Sequence, residues 1–372
     1  MPKVSEDLAK RFATEKNSKY QDWVRAEGLD IIAGHYVPNL HHVEVKPWPR
    51  RGGAGVYINH EASRHSNDCY VCDIPAGGKL APQRQLFEEM IYVLDGHGST
   101  SVWNDAGQKV TFEWNAGSLF AIPLNCWHQH FNGSGQEKAR YLAVTNAPMV
   151  INLYEEADFV FNTPYDFKSR FSGEPEYFSN EGTQNGFLLE TNFVANTRTL
   201  PLINAKERGA GGGHIRFNLA KGSMNSHISE FPVGTYKKAH LHGPGAHVII
   251  LDGSGFSFMW PENSPLQRYD WQEGSMIVPP DRWYHQHFNT GKTPARYLAL
   301  KYEGTSIRNE QGVPKAWISK RIGGDQIDYA DEDEMVRHVF EEELAKNGLE
   351  STMQPVYEAE RATLEASVST NE

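Results

Sequence analysis

Three histidines in the second half of the chain have the spacing of a metal site. His240 and His242 are separated by one residue, and His285 follows in a later segment. Successive side chains of an extended strand alternate between its faces, so His240 and His242 point the same way, about 6–7 Å apart. Two imidazoles on one face can share a metal ion, and a third from a neighbouring strand leaves coordination positions open. The spacing therefore predicts a catalytic metal centre made by His240, His242 and His285.

The segment that contains these histidines is the second copy of an internal repeat. Matched positions lie 157 residues apart without a gap, and they include Gly77 with Gly234, Trp103 with Trp260, His128 with His285, and Asn132 with Asn289. Both copies consist of short segments bounded by glycines, which is typical of strands joined by turns. The repeat predicts two equal strand-rich units in one chain.

The two blocks around the histidines resemble the two motifs of the cupin superfamily, whose members are small double-sheet barrels with a metal in the barrel mouth. The blocks read Gly234-x5-His240-x-His242-x3-Ala246-x6-Gly253 and Gly274-x5-Pro280-x-Arg282-x2-His285-x3-Asn289. The resemblance covers about residues 70–145 and 220–302. It implies an all-β fold of two tandem cupin (double-stranded β-helix, jelly-roll) barrels with short flanking helices.

The position of the usual glutamate in the first cupin motif is Ala246 here. This departure is similar to the gentisate 1,2-dioxygenase group, in which three histidines bind iron and the glutamate position is apolar. In that group the metal commonly lies in the amino-terminal barrel, whereas the three histidines of this chain lie in the carboxy-terminal one. The resemblance implies an Fe(II) site in the second barrel, with Mn, Zn or Ni as alternatives.

The first copy offers different donors at the same positions, namely Gln83, Gln85, Glu89 and His128. A carboxamide oxygen is a much poorer donor than an imidazole nitrogen for Fe, Zn, Ni or Cu. We therefore expect this cup to be metal-free or weakly occupied, and one divalent metal per chain. The alternative is a glutamine-rich pocket that binds a polar ligand or a hard cation such as Mg²⁺ or Mn²⁺ through oxygen.

Two further histidines lie close to the predicted ligands. His247 is one residue out of register with Glu89, so alternation turns it away from the metal unless a local bulge returns it; we retain it as a candidate substrate contact. His287 lies two residues beyond His285 on the same face. It is either a hydrogen-bonded histidine of the barrel wall, as its repeat in the first copy, His130, suggests, or a group that acts behind the metal ligands.

Three other side chains are candidate substrate contacts. Arg282 replaces the usual glycine beside the mouth and could hold a carboxylate with two hydrogen bonds, although it could equally be a surface residue. Trp283 and Phe258 could wall an aromatic pocket.

The chain divides into five predicted parts. They are an N-terminal helix and extended arm (1–66), an N-terminal barrel (67–150), an inter-barrel connection (151–220), a C-terminal barrel (221–305), and a C-terminal helix and tail (306–372). The last part has helical spacing of Met335, Val339, Phe340 and Leu344, and residues 351–372 are expected to be disordered.

Composition narrows the class of protein. The 372 residues carry a net charge of −11, which argues against a nucleic-acid partner or an anionic membrane surface. No run of 18 apolar residues and no secretory signal is found. With only Cys69, Cys72 and Cys126, no disulfide framework is expected, and a reducing cytoplasmic setting fits. We expect a homodimer or homotetramer that binds a small molecule.

The leading hypothesis from the sequence is a ring-cleaving dioxygenase that acts on a hydroxylated aromatic acid or a similar small carboxylate, with O₂ as co-substrate. The dioxygenase part comes from the resemblance and not from the spacing. The second hypothesis is a non-redox decarboxylase, isomerase or C–C lyase that acts on a small oxo-acid with Mn, Zn or Ni as Lewis acid. The third is a cupin that binds a small molecule without turnover.

Overall fold

The protein is described by a computed structural model that covers residues 18–58, 66–205, 208–243, 245–302 and 307–369. The strands of the first half are β1 (Ile31–Ile32), β2 (Tyr36–Val37), β3 (Lys46–Trp48), β4 (Gly53–Ile58), β5 (Asp68–Ile74), β6 (Glu89–Asp95), β7 (His97–Trp103), β8 (Lys109–Asn115), β9 (Leu119–Ile122), β10 (Trp127–Asn132) and β11 (Ala139–Thr145). Those of the second half are β12 (Gly182–Asn185), β13 (Leu188–Thr191), β14 (Phe193–Val194), β15 (Ile203–Asn204), β16 (Gly213–Asn218), β17 (Met224–Phe231), β18 (His247–Asp252), β19 (Ser254–Trp260), β20 (Gln267–Gln272), β21 (Met276–Ile277), β22 (Tyr284–Asn289) and β23 (Ala295–Tyr302). The α-helices are α1 (Lys19–Ala26), α2 (Ala147–Tyr154), α3 (Ala157–Asn162), α4 (Glu334–Lys346) and α5 (Gln354–Ser369). Single 3-10 turns lie at Leu40–His42, Lys315–Trp317, Lys320–Ile322 and Tyr329–Asp331.

Each half of the chain forms a barrel from one large and one small sheet. The first barrel has a large sheet in the order β1-β4-β5-β11-β6-β9-β14, with β3 on β4, and a small sheet β10-β7-β8. The second has β12-β13-β16-β17-β23-β18-β21-β2, with β15 on β16, and the small sheet β20-β19-β22. Within the described residues, only β1 with β4 and β13 with β16 pair in parallel. This arrangement confirms the predicted all-β fold of two tandem barrels with short flanking helices.

The two barrels exchange strands at their edges. β2 pairs with β21 of the second barrel, although it comes from the predicted N-terminal arm, and β14 pairs with β9 of the first barrel, although it follows that barrel in sequence. The arm also supplies β4, which pairs with β5, and the predicted connection supplies β16, which pairs with β17. The sheets therefore extend beyond the predicted limits at 67 and 221.

Each large sheet is buried on both faces. One face packs against the large sheet of the other barrel, and the other face lines the interior of its own barrel. On β5, Cys69 and Val71 belong to an apolar cluster that also contains Phe217 and Leu298 of the second barrel. The alternating residue Tyr70 faces the interior of its own barrel. Alternation along a strand thus places one set of side chains between the barrels and the other inside each cup, where a site can form.

The C-terminal segment packs on the second barrel. α4 buries Val336, Phe340 and Leu344. Phe340 and Leu344 belong to the predicted helical spacing, whereas Met335 of that set is exposed. The expectation of disorder beyond residue 351 is wrong for α5, because the Tyr357 hydroxyl is hydrogen-bonded to that of Tyr236 at 2.8 Å. In the described part of the chain, no helix is long and apolar enough to cross a membrane.

Candidate metal centre

Three histidines meet inside the second barrel. His240 and His242 lie on the extended segment between β17 and β18, and His285 lies on β22. The His240 N–H donates to the His285 carbonyl at 3.1 Å, and the His285 N–H donates to the His240 carbonyl at 2.9 Å. One ring nitrogen from each histidine lies within 4.8 Å of those of the other two. The side chains that the sequence predicts as metal ligands are therefore brought together.

Each of these rings has a backbone carbonyl beside Nδ1. The distances are 3.1 Å for His240, 2.8 Å for His242 and 3.3 Å for His285. A carbonyl oxygen only accepts, so Nδ1 carries the proton and Nε2 keeps its lone pair. Loss of hydration lowers the pKa of all three histidines, that of His285 to about 3. Because metals bind the neutral imidazole, this donor set fits a divalent transition metal.

The three rings face a cavity of about 330 Å³. Its apolar and aromatic lining consists of Phe187, Leu241, Ala246, Val248, Ala299, Ile307, Val313, Pro314, Ala316 and Trp317. Its cationic side chains are Arg208, Arg216, Lys301 and Arg308, and the one carboxylate among the described lining residues is Asp325. The excess of positive charge favours an anionic ligand in a protein whose net charge is −11.

One side of the cavity is closed by the segment 307–327, which we call the cover segment. It supplies Trp317 and Asp325 to the lining. The Leu241 N–H donates to the Asp325 carbonyl at 3.0 Å, so the cover segment is bonded to the segment that carries His240 and His242. No motif in the sequence indicates this cover, because its contacts are made through the backbone.

Arg208 is a buried cation beside the histidines that the sequence did not reveal as a site residue. Its Nη2 donates to Nε2 of His240 at 2.8 Å, and its Nη1 donates to the Ala316 carbonyl at 2.8 Å. A bound metal would take over the His240 lone pair and leave Nη2 free to donate to a ligand. Its guanidinium lies over the Trp317 ring, 5.1 Å from the centroid. Burial lowers the pKa of Arg208, since these partners are neutral. The signal that could have found it is the repeat, because Arg208 follows Arg51 by 157 residues.

Tyr297 lies in the cavity wall, and the buried Lys237 lies behind it. The Lys237 ammonium donates to the Ser229 hydroxyl at 2.7 Å and lies 5.1 Å from the centroid of the Tyr297 ring. Burial lowers the pKa of Lys237. Burial alone would raise the pKa of Tyr297, but Lys237 and Arg208 outweigh it and hold that pKa below 10.0. This phenol is therefore easier to deprotonate than an ordinary tyrosine.

His287 lines the cavity but is tied to the barrel wall. Its Nδ1 is hydrogen-bonded to the Ser257 hydroxyl at 2.7 Å, which in turn accepts from the Trp271 indole at 2.9 Å. The first barrel repeats this arrangement with His130 and Thr100, also at 2.7 Å. The repetition favours the structural interpretation of His287.

The four predicted substrate contacts are not among the residues that line this cavity, so their role in substrate binding stays a prediction. Arg282 is exposed and has a positive φ of 56°, so the turn directs it outward. Trp283 packs on His35 with ring centroids 5.8 Å apart. Phe258 is buried, and its ring centroid lies 5.1 Å from that of Phe256. His247 faces the other barrel.

The position of His247 has a simple physical cause. β18 begins at His247, which pairs with Leu300 of β23, and the two strands stay in register as far as Ile250. The register shift comes only after Ile250, so no bulge at His247 rotates the ring toward the metal ligands. Its Nδ1 lies 3.2 Å from Nδ2 of Asn67 in the first barrel. It also forms a buried group with Asp68 and Cys69. Burial raises the pKa of Asp68 to about 8 and that of the Cys69 thiol well above 9.0.

In the first barrel, a buried ion pair fills the cup. Glu89 accepts hydrogen bonds from Nη2 of Arg51 at 3.3 Å, from Nε2 of Gln85 at 3.3 Å and from the Tyr70 hydroxyl. Nε2 of His128 lies 3.6 Å from the same carboxylate. Arg51 thus supplies the positive charge that Glu89 faces. Gln83 points elsewhere and accepts from Arg50 at 3.1 Å.

Comparison with known proteins gives distant similarities only. No protein-family model matches the chain, and no curated protein matches it. Solved structures similar to it include two mutants of oxalate decarboxylase from Bacillus subtilis, each 12% identical, with TM-scores of 0.48 and 0.49. Each comparison covers 73% of this chain and 78% of the oxalate decarboxylase chain. A third structure of that enzyme, with a TM-score of 0.48, concerns its Mn(II) centres. Similarity at this level does not indicate a metal, a substrate or a reaction for this chain.

Proposed function

We propose that this protein is an enzyme that uses one divalent metal ion to act on a small substrate with a carboxylate group. His240, His242 and His285 would hold the metal, and this ligand set is compatible with Fe(II), Mn(II), Zn(II) or Ni(II). The proposal depends on one observation, the convergence of three neutral imidazoles on a cavity whose charged side chains are mostly cationic. A barrel with a purely structural role requires neither feature.

The roles of the chain's own residues follow from their positions. Once bound, the metal would supply a Lewis acid that polarises an oxygen atom of the substrate. Arg208 would neutralise and orient the carboxylate, since a guanidinium can donate two hydrogen bonds to it. The cover segment would keep bulk water away, which strengthens these electrostatic interactions.

We propose a non-redox reaction on a small oxo-acid, such as a decarboxylation, an isomerisation or a C–C cleavage. Each of these reactions moves a proton to or from a carbon atom. Tyr297 lies in the cavity wall with its pKa held below 10.0 by Lys237 and Arg208, which suits a general acid or base. The Ser229 hydroxyl, which accepts from Lys237 at 2.7 Å, is also hydrogen-bonded at 3.2 Å to Nδ1 of His214, which lines the cavity.

A ring-cleaving dioxygenase that acts on a hydroxylated aromatic acid is the second candidate. It is favoured by the aromatic side of the cavity, where Phe187 and Trp317 lie with ring centroids 5.7 Å apart and could contact a substrate ring. The cationic side would bind the carboxylate of an aromatic acid equally well. O₂ would then be the co-substrate.

Substrate and gas measurements distinguish the two candidates. Protein purified without O₂ and loaded with one metal at a time is tested against 2-oxo acids and hydroxylated benzoic acids. Our proposal expects CO₂ or a rearranged product without O₂ uptake, whereas O₂ uptake with loss of aromatic absorbance identifies the dioxygenase. His240→Ala should abolish turnover, and the matched change Gln83→Ala in the first barrel should not. Unchanged turnover in His240→Ala would overturn the metal-dependent proposal.

A further inference from the structure

We propose that the substrate carboxylate binds in the second barrel at the place that the Glu89 carboxylate occupies in the first. The first barrel would then contain, as part of its own chain, a copy of the ligand that the second barrel takes from solution. This inference rests on the proposed function and specifies how that site recognises its substrate class.

Every partner of Glu89 has a counterpart 157 residues later. Glu89 is surrounded by Arg51, Tyr70, Gln85 and His128. The corresponding residues of the second barrel, which all line its cavity, are Arg208, His227, His242 and His285.

The structure supports this correspondence independently of the sequence. Tyr70 pairs with Ala143 in the large sheet of the first barrel, and His227 pairs with Ala299 in that of the second. Each arginine also contacts the equivalent tyrosine of its own barrel. Arg51 donates to the Tyr141 hydroxyl at 3.2 Å, and Arg208 is hydrogen-bonded to Tyr297.

The carboxylate itself is the one member of this group that the second barrel lacks. The counterpart of Glu89 is Ala246, whose small side chain lines the cavity. Its methyl group leaves open the volume that the glutamate side chain fills in the first barrel.

The two arginines differ in their counter-charge. Arg51 forms a buried ion pair with Glu89 at 3.3 Å. Burial alone would lower the pKa of Arg51, but its surroundings, which include Tyr70, Tyr141 and Glu89, outweigh burial and raise it. No carboxylate of the described residues forms an ion pair with Arg208, whose hydrogen-bond partners are the Ala316 carbonyl, the His240 ring and the Tyr297 hydroxyl. A buried cation with neutral partners has a large desolvation cost, which an anionic ligand would offset. A carboxylate between Arg208 and the histidines would restore the arrangement of the first barrel.

An internal carboxylate can be built to test this. Ala246→Glu introduces the missing acid, and Ala246→Gln is its uncharged control of the same size. At neutral pH we expect the melting temperature of Ala246→Glu to be about 5 °C higher than that of Ala246→Gln, both in protein as purified and after removal of metal with a chelator. The difference should disappear when both changes are made together with Arg208→Gln. Equal melting temperatures of Ala246→Glu and Ala246→Gln in protein that retains Arg208 would overturn the proposal.

Ligand binding supplies the second measurement. Pyruvate is the probe, its methyl ester is the uncharged control, and the signals are calorimetric heat and fluorescence of the tryptophans. We expect pyruvate to bind wild-type protein at least about tenfold more tightly than it binds either Ala246→Glu or Arg208→Gln, a ratio that corresponds to about 1.4 kcal/mol. The same affinity for wild type and for both variants would contradict the inference.

Metal content separates this inference from the proposed function. If the protein binds one metal per chain but Ala246→Glu shows no coupling to Arg208, the carboxylate site is wrong and the metal proposal stands. If that coupling is present but His240→Ala leaves the metal content and turnover unchanged, the carboxylate site stands and the proposed function is wrong.

Discussion

Replacing Glu89 by Gln should reveal how strongly the ion pair in the first barrel stabilises the protein. The side chain of Glu89 is 0% exposed and that of Arg51 is 2% exposed. Glutamine has nearly the same shape as glutamate but carries no charge, so Glu89→Gln leaves the Arg51 guanidinium buried without its counter-charge. The free energy of unfolding should therefore fall sharply.

The expected loss is about 4 kcal/mol, because removing one partner of a buried ion pair typically costs about 3–5 kcal/mol. The pH dependence has a defined sign. Burial alone would raise the pKa of Glu89, but Arg51 and the other partners outweigh it and lower that pKa below 4.5. The stabilisation is therefore present above the unfolded-state pKa and is lost as pH falls through the folded-state pKa. Wild type and Glu89→Gln should thus converge in acid.

Urea unfolding followed by tryptophan fluorescence measures this effect. The control is Glu341→Gln on α4, because Arg337 and Glu341 are 48% and 44% exposed, and their pair should contribute less than about 1 kcal/mol. The double variant Arg51→Met with Glu89→Gln should lose less than the sum of the single changes. A loss below about 1 kcal/mol in Glu89→Gln at neutral pH would refute a buried ion pair in this cup.

Three further predictions follow from single residues. Burial raises the pKa of Asp68 to about 8, so the wild-type protein should lose stability as pH rises from about 4 through 8. Asp68→Asn, which matches Asn225 of the second copy, should flatten this dependence of stability on pH. Equal slopes for wild type and variant in thermal unfolding from pH 5 to 9 would contradict this prediction. Tyr297→Phe should lower kcat by about 100-fold with unchanged metal content, as expected for a proton-transfer group, and kcat within twofold of wild type would exclude that role. Arg282→Ala should change kcat/KM by less than about twofold, because Arg282 lies outside the cavity, and a large rise in KM would restore it as a substrate contact.

The repeat and the histidine spacing were sufficient to predict the barrels and the three-histidine set. Both depend on alternation along strands, which is a local property of sequence. Alternation does not fix the direction of Arg282, because the turn before β22 has a positive φ at that residue and directs the side chain to solvent. It also could not predict that Phe258 would be covered by the C-terminal helices, which pack on it from a distant part of the chain.

Sequence motifs did not predict Arg208 or the cover segment as parts of the site. Arg208 lies in the predicted inter-barrel connection, just before a glycine-rich run. It is identified only when the 157-residue repeat is extended back to Arg51. The cover segment reaches the site by backbone hydrogen bonds, such as that from Leu241 N–H to Asp325 at 3.0 Å, and backbone bonds carry no residue-type signal. The sequence thus predicts the metal ligands better than it predicts the surroundings that would bind a substrate.

Metal stoichiometry tests the central claim most directly. The second barrel offers three imidazoles with one ring nitrogen of each within 4.8 Å of those of the other two, whereas an arginine–glutamate pair fills the first. Elemental analysis of protein purified without O₂ should find one tightly held transition metal per chain. The double variant of His240→Ala and His242→Ala should lose it, and His128→Ala should retain it. Two such metals per chain, or full occupancy in the His240 and His242 double variant, would contradict the account.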